Sequence, residues 1–282
     1  MALVQANGLQ FNVEAAGDGF PLVLLHGFTG SAATWRPFET AWPGFRTVAI
    51  DLIGHGASAA PDDEAPYTME RCVADVTALI DAECGGRAAV LGYSMGGRVA
   101  LQFALAAPKR VAALVLEGAS TGIEDPADRA SRVASDRVLA DDIERDGLEA
   151  FVDRWEAVPL FATQSRLPGS VRQRLREQRL RSRTVGLANS LRGMGAGAQQ
   201  PVFARLGELA MPVLLIAGED DVKYRALARA MGEQIPGARV EIVKGAGHAV
   251  HLEQPAAFAP LVKEFLTRCP QQSKQPESSA RP

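Results

Sequence analysis

The 282-residue chain is poor in cysteine, with Cys72, Cys84 and Cys269 its only three. An odd, widely spaced set builds neither a disulfide framework nor a zinc site. It points to reduced thiols in a cytoplasmic protein. The N-terminus lacks a basic segment followed by an apolar core, so no signal peptide is expected. No apolar run approaches the ~18 residues of a membrane span. Neither sign of charge dominates. Lysine and arginine number 30 against 33 aspartate and glutamate, and the net charge of −3 gives no reason to expect a nucleic-acid partner. No Gly-rich phosphate loop and no metal-ligand spacing occurs, so neither cofactor nor metal is expected. Histidine is scarce as well: any imidazole chemistry must come from His26, His55, His248 or His251. What the chain does have is apolar mass. At 47% hydrophobic content it can bury one large core carrying an insertion.

The apolar residues fall into runs of strand length: 21–25, 47–50, 88–91, 111–116 and 213–217. They are continuous rather than alternating, as in strands covered on both faces by helices. The mixed run 239–243 suits a sheet edge. Asn7-Gly8 between two short alternating runs predicts an opening β-hairpin. Helical patterns separate most strands, including 68–83 and a closing amphipathic helix through Phe258, Leu261, Val262, Phe265 and Leu266. The fold class is therefore α/β with a mostly parallel sheet. From about 120 to 211 no strand is evident, and the stretch reads as a helical lid. The expected organisation is a core of 1–118 and 212–269, a lid of 119–211 and a disordered tail of 270–282. Between 157 and 205 there are nine arginines, no lysine and one acid, Glu177. Most of these read as a solvated basic face, but the preference for arginine over lysine suggests bidentate contacts to carboxylates.

Gly92-Tyr93-Ser94-Met95-Gly96 joins the run ending at Leu91 to a helical run at 97–104. Strand, tight turn and helix around Gly-x-Ser-x-Gly is the context of a nucleophile elbow, which lifts Ser94 above the sheet at a helix N-terminus. A serine hydroxyl needs an imidazole to take its proton and a carboxylate to orient that imidazole. His248, in the glycine-containing loop after the last strand, lies at the same sheet edge and follows the serine in sequence. His251 reads better as a structural or rim residue. The acid should follow the strand at 213–217, where Glu219, Asp220 and Asp221 are available. Asp221 is favoured, and Glu117 after the run ending at Leu116 is the alternative. In His26-Gly27-Phe28 the N–H of Phe28, paired with that of Met95, would form an oxyanion hole. His26 then orders the loop, and His55 is structural. Arg98 lies one helical turn beyond Ser94, at the pocket floor, unless it pairs with a structural carboxylate such as Glu117.

Together His26-Gly27-Phe28, Asp51-x-x-Gly54-His55-Gly56-x-Ser58, the elbow and Gly247-His248 resemble the α/β-hydrolase superfamily over residues 20–266. A narrower resemblance rests on Gly-Tyr-Ser-Met-Gly-Gly-Arg at 92–98, Ser135-Asp136-Arg137, Gly186 to Arg192, Gly218 to Tyr224 and Ala246 to Pro255. These stretches are similar to the 2-succinyl-6-hydroxy-2,4-cyclohexadiene-1-carboxylate (SHCHC) synthase family of menaquinone biosynthesis. That resemblance implies a Ser94–Asp221–His248 triad and a lyase step that removes pyruvate from a polycarboxylate small molecule. It also implies substrate contacts from Tyr93, Arg98, Arg132, Trp155 and Arg181. Ile53 stands where many α/β hydrolases have proline, and the tail beyond Cys269 is extra. The competing expectations are a hydrolase for an ester, an enol-lactone or a carbon–carbon bond, and a non-catalytic binding module. The sequence carries no signal of oligomeric state.

Overall fold

The structure is a computed structural model and describes residues 2–269; the expected disordered tail lies outside them. Eight strands form one sheet: β1 (Ala2–Ala6), β2 (Leu9–Ala16), β3 (Phe20–Leu25), β4 (Phe45–Ile50), β5 (Ala88–Tyr93), β6 (Val111–Glu117), β7 (Val213–Gly218) and β8 (Arg239–Val243). Their order is β1-β2-β4-β3-β5-β6-β7-β8. Only the β1–β2 and β2–β4 pairs are antiparallel; β4 through β8 run parallel. The opening hairpin turns at Asn7 (φ 48°) and Gly8 (φ 81°), as the Asn-Gly pair requires. β8 is the edge strand that its mixed polarity suggested.

The continuous apolar runs are explained by two cores, one on each face of the sheet. Along β3, Val23 and Leu25 point to one core and Leu22 and Leu24 to the other. β5 splits in the same way, with Val90 on one side and Leu91 and Tyr93 on the other. Helices α1 (Met69–Cys84), α2 (Met95–Ala106) and α6 (Val222–Gln234) supply residues to the first core. The second is closed by residues 32–38, the short α7 (Val250–Glu253) and α8 (Pro255–Arg268). Helix α1 starts at Thr68, whose side chain accepts the Arg71 N–H, and stops at Gly85 in the left-handed conformation.

Between β6 and β7 lie α3 (Pro126–Glu156), α4 (Gly169–Leu180) and α5 (Thr184–Met194), with a 3-10 turn at Pro159–Arg166. Helix α3 is broken at Gly147 (φ 82°, ψ 173°). This segment has its own small core of Ala140, Ile143, Phe151, Val152, Leu187, Ala188 and Leu191. It docks where the parallel strands end. Arg166 pairs with Asp220 (2.6 Å), and Gly186 packs so closely on Gly54 that a Cβ at 186 would meet the Gly54 carbonyl oxygen at 2.1 Å.

Candidate active site

Ser94 sits between β5 and α2 with φ 51° and ψ −109°, a conformation strained for any side chain. Two neighbours without side chains allow it. A Cβ at Gly92 would meet the Gly96 carbonyl oxygen at 2.3 Å, and one at Gly96 would meet the Leu25 and His26 carbonyl oxygens at 2.4 and 2.5 Å. The elbow is thereby pressed against the end of β3. Ser94 N–H donates to Glu117 O, tying the turn to β6.

The loops after β7 and β8 bring the partners. His248 Nε2 is 3.0 Å from Ser94 Oγ, and its Nδ1 is 2.8 Å from Asp221 Oδ2. Asp221 is the N-cap of α6, its Oδ1 accepting the Tyr224 N–H at 3.1 Å. The neighbouring carboxylates do other work. Glu219 Oε2 accepts the Gly245 N–H, and Asp220 takes Arg166. Glu117, the alternative acid, is occupied by His251, whose backbone N–H and Nδ1 both reach it, at 3.0 and 2.9 Å. His251 is buried under Trp35 and Tyr93, so its structural or rim reading fits.

Phe28 follows β3 in a loop held by His26. The Leu52 N–H donates to His26 Nε2, leaving Nδ1–H to donate to Gly27 O at 2.8 Å. Burial lowers the His26 pKa to about 4 and that of His55 to about 3, so both imidazoles are neutral. Thr29 adopts φ 66°, an uncommon choice for a β-branched residue and a sign that the loop is shaped for a purpose. Among the described residues, neither the Phe28 nor the Met95 N–H has a hydrogen-bond partner. Both remain available to an acceptor beside Ser94.

Arg98 rises from the first turn of α2. Nη1 donates to Met194 O at 2.8 Å and to Gln199 Oε1 at 2.5 Å. No carboxylate of the described residues is within ion-pair distance of it, and Glu117, its candidate partner, is held by His251. Burial lowers its pKa to about 10, which still leaves it cationic at neutral pH. Arg132 pairs with Asp136 at 2.8 Å and contributes to the field at Arg98. Trp155 packs edge-on against Phe28 (5.3 Å) and Phe161 (5.4 Å), and its indole N–H is buried without a partner. Tyr93 lies between the rings of His248 and His251.

Arg181 is not brought to this site. It caps the end of α4, is 77% exposed, and has Glu177 at 4.0 Å as its nearest acid. It lines an outer cavity of about 760 Å³ beside α4. Two residues span about 200° of helix, so Arg179 faces the other way. Arg179 is buried against Glu156 (2.9 Å) and Gln164 (3.3 Å). It lines a small inner cavity of about 40 Å³ together with Phe28, Tyr93 and His251. Its place in the pocket was missed because helical spacing alone does not say which face turns inward. Among the described residues, no three His, Cys, Asp or Glu side chains converge as a metal site would need. No helix there is long and apolar enough to cross a membrane.

This sheet order and a serine elbow facing an Asp–His pair define an α/β hydrolase, and the model of the α/β-hydrolase fold family matches residues 21–255. The resemblance narrows within that fold. The chain is 46% identical over 264 residues to a putative SHCHC synthase of Bacillus subtilis (strain 168), covering 93% of this chain and 96% of the relative. It is also similar to the structure of MenH from S. aureus, with a TM-score of 0.87 and 31% identity over 91% of this chain and 97% of that one. A thermophilic esterase from Thermogutta terrifontis, solved with malate bound, aligns with a TM-score of 0.82 and 27% identity over 94% and 96% of the two chains. The chain belongs to the SHCHC synthase family of the α/β-hydrolase superfamily.

Proposed function

We propose that the chain is a cytoplasmic lyase that eliminates pyruvate from 2-succinyl-5-enolpyruvyl-6-hydroxy-3-cyclohexene-1-carboxylate to give SHCHC. The observation that carries this reading is Arg98: a half-buried guanidinium one turn from Ser94 with no carboxylate partner of its own. Burying an uncompensated charge is costly, and a neutral ester would not offset that cost. A substrate with three carboxylates would. Arg132, whose charge acts on Arg98, Arg179, which lines the inner cavity with Phe28 and Tyr93, and the unpartnered Trp155 indole N–H are further candidate donors, and the helical segment carrying them would serve as the lid.

In this mechanism His248, oriented by Asp221, removes the Ser94 proton. Ser94 Oγ then takes the ring proton alpha to the succinyl carbonyl. The electron pair of that C–H bond moves into an enolate, whose oxygen accepts from the Phe28 and Met95 N–H groups. Each such donor contributes about 3 kcal/mol toward the developing charge. As the enolate re-forms its carbonyl, a double bond forms between the deprotonated carbon and its ring neighbour, the ring C=C shifts one position on, and the ring C–O bond breaks to release the enolate of pyruvate. Pyruvate leaves after taking a proton. Excluding water with a carboxylate clamp favours elimination over hydrolysis.

The experiment is to compare Arg98→Ala with the unaltered chain on two substrates. Pyruvate release from the tri-acid should fall by at least about 100-fold, the scale of a lost charge-assisted contact. Cleavage of a neutral p-nitrophenyl ester, if present, should change several-fold at most. Equal losses on both would mean that Arg98 only supports the fold.

A further inference from the structure

Tyr224 faces both the base and the arginines. It is the third residue of α6, and its ring centroid lies 4.4 Å from that of His248. Its backbone N–H is bound by Asp221, so the carboxylate that orients His248 also fixes the helical turn that carries the phenol. Burial raises the phenol's pKa, and the charges acting on it are those of Arg98, Asp221 and Arg132. The phenol therefore stays protonated and stands among the cationic groups at the site.

Among the described residues no hydrogen bond is made by its hydroxyl, although a half-buried tyrosine commonly finds a partner. Nor is it one of the sealed-off polar atoms of the core. The ring packs against His248, and the hydroxyl is neither bonded nor sealed off from solvent.

We propose that the Tyr224 hydroxyl donates a hydrogen bond to the same substrate carboxylate that Arg98 binds, and so helps select an acid over a neutral compound. This rests on the reading of Arg98 given above. A planar carboxylate has two oxygens and about four acceptor sites, enough for a guanidinium and a phenol together. Tyr224 would then link carboxylate binding to the ring of His248 without taking part in proton transfer.

Tyr224→Phe removes only the hydroxyl and keeps the ring against His248. Its KM for the tri-acid should rise roughly tenfold or more, as for a lost hydrogen bond to a charged group. Its kcat should stay within about threefold, and its rate on a neutral ester should not move. In an Arg98→Ala background the same substitution should have a much smaller effect, because the shared carboxylate is already released. An unchanged KM for the tri-acid overturns the proposal, as does an equal change on both substrates. If Tyr224→Phe is silent while Arg98→Ala remains selective for the tri-acid, only the role of Tyr224 fails. If Arg98→Ala shows no selectivity, the underlying reading of the site fails with it. A thermal melt of Tyr224→Phe matching that of the parent establishes that the variant is folded.

Discussion

Asp221 uses its two oxygens for two purposes, one on His248 Nδ1 and one on the N–H that starts α6. Asp221→Asn keeps an acceptor for the cap, but it presents an amide or a weaker acceptor to His248. The imidazole then loses its preferred tautomer. We expect kcat to fall by roughly 10³- to 10⁴-fold with little change in melting temperature. Asp221→Ala should show the same loss of rate and also lose about 1 kcal/mol of stability with the cap. A large stability loss in Asp221→Asn would contradict this division of roles. Ser94 and His248 were legible in the sequence because local pattern and chain order identify them. The choice of Asp221 among three adjacent carboxylates was favoured but not forced. What separates them is the direction in which the turn at 219–221 sends each side chain. The occupation of Glu117 by His251, 134 residues away, has no local signature.

At the scale of elements, glycines mark where backbone geometry governs the site. Gly96 lets α2 press on the end of β3, against backbone that has no room to move. Gly96→Ala should therefore abolish turnover by displacing the Phe28 loop and the elbow. Gly147 breaks α3 at φ 82° but has open space around it. Gly147→Ala should cost the penalty of a positive-φ extended conformation that is essentially glycine-only, about 1–3 kcal/mol, and leave most of the activity. Urea melts and turnover of the two variants check this contrast. The reverse order, with Gly96→Ala active and Gly147→Ala inactive, would contradict it. Strands and helices were legible because continuous apolar runs have only one comfortable place, between two layers of helices. The break at Gly147 was not read from the sequence, since a glycine within a helical pattern gives no sign of its φ. Arg181 was expected at the pocket because Leu180-Arg181-Ser182 resembles a lid arginine position of the family. The end of α4 at Leu180 turns it outward and leaves Arg179 inside.

For the whole molecule, buried neutral histidines set a limit on acid tolerance. His26 and His55, with ring centroids 5.0 Å apart, resist protonation when folded, at pKa values of about 4 and about 3, and accept it readily when unfolded. The unfolded chain thus binds more protons below about pH 6.5. Stability is complete above that pH and declines as pH falls toward 4, by on the order of 3 kcal/mol at His26 alone. Calorimetry over this range should show a falling melting temperature, with a shallower fall in His55→Asn. A flat profile down to pH 4 would refute the assignment. The overall function was legible only in part, because an elbow, a base and an oxyanion loop serve hydrolysis and elimination alike. The arginine without a carboxylate is the feature we use to separate them, and its lack of a carboxylate partner is visible only in three dimensions. The most direct test of the central claim is mass analysis of the ring product formed from the enolpyruvyl tri-acid. Elimination predicts pyruvate together with a ring product equal to the substrate minus pyruvate, both lost in Ser94→Ala. A ring product that has gained the elements of water, or brisk ester cleavage with no pyruvate, would show that the chain is a hydrolase.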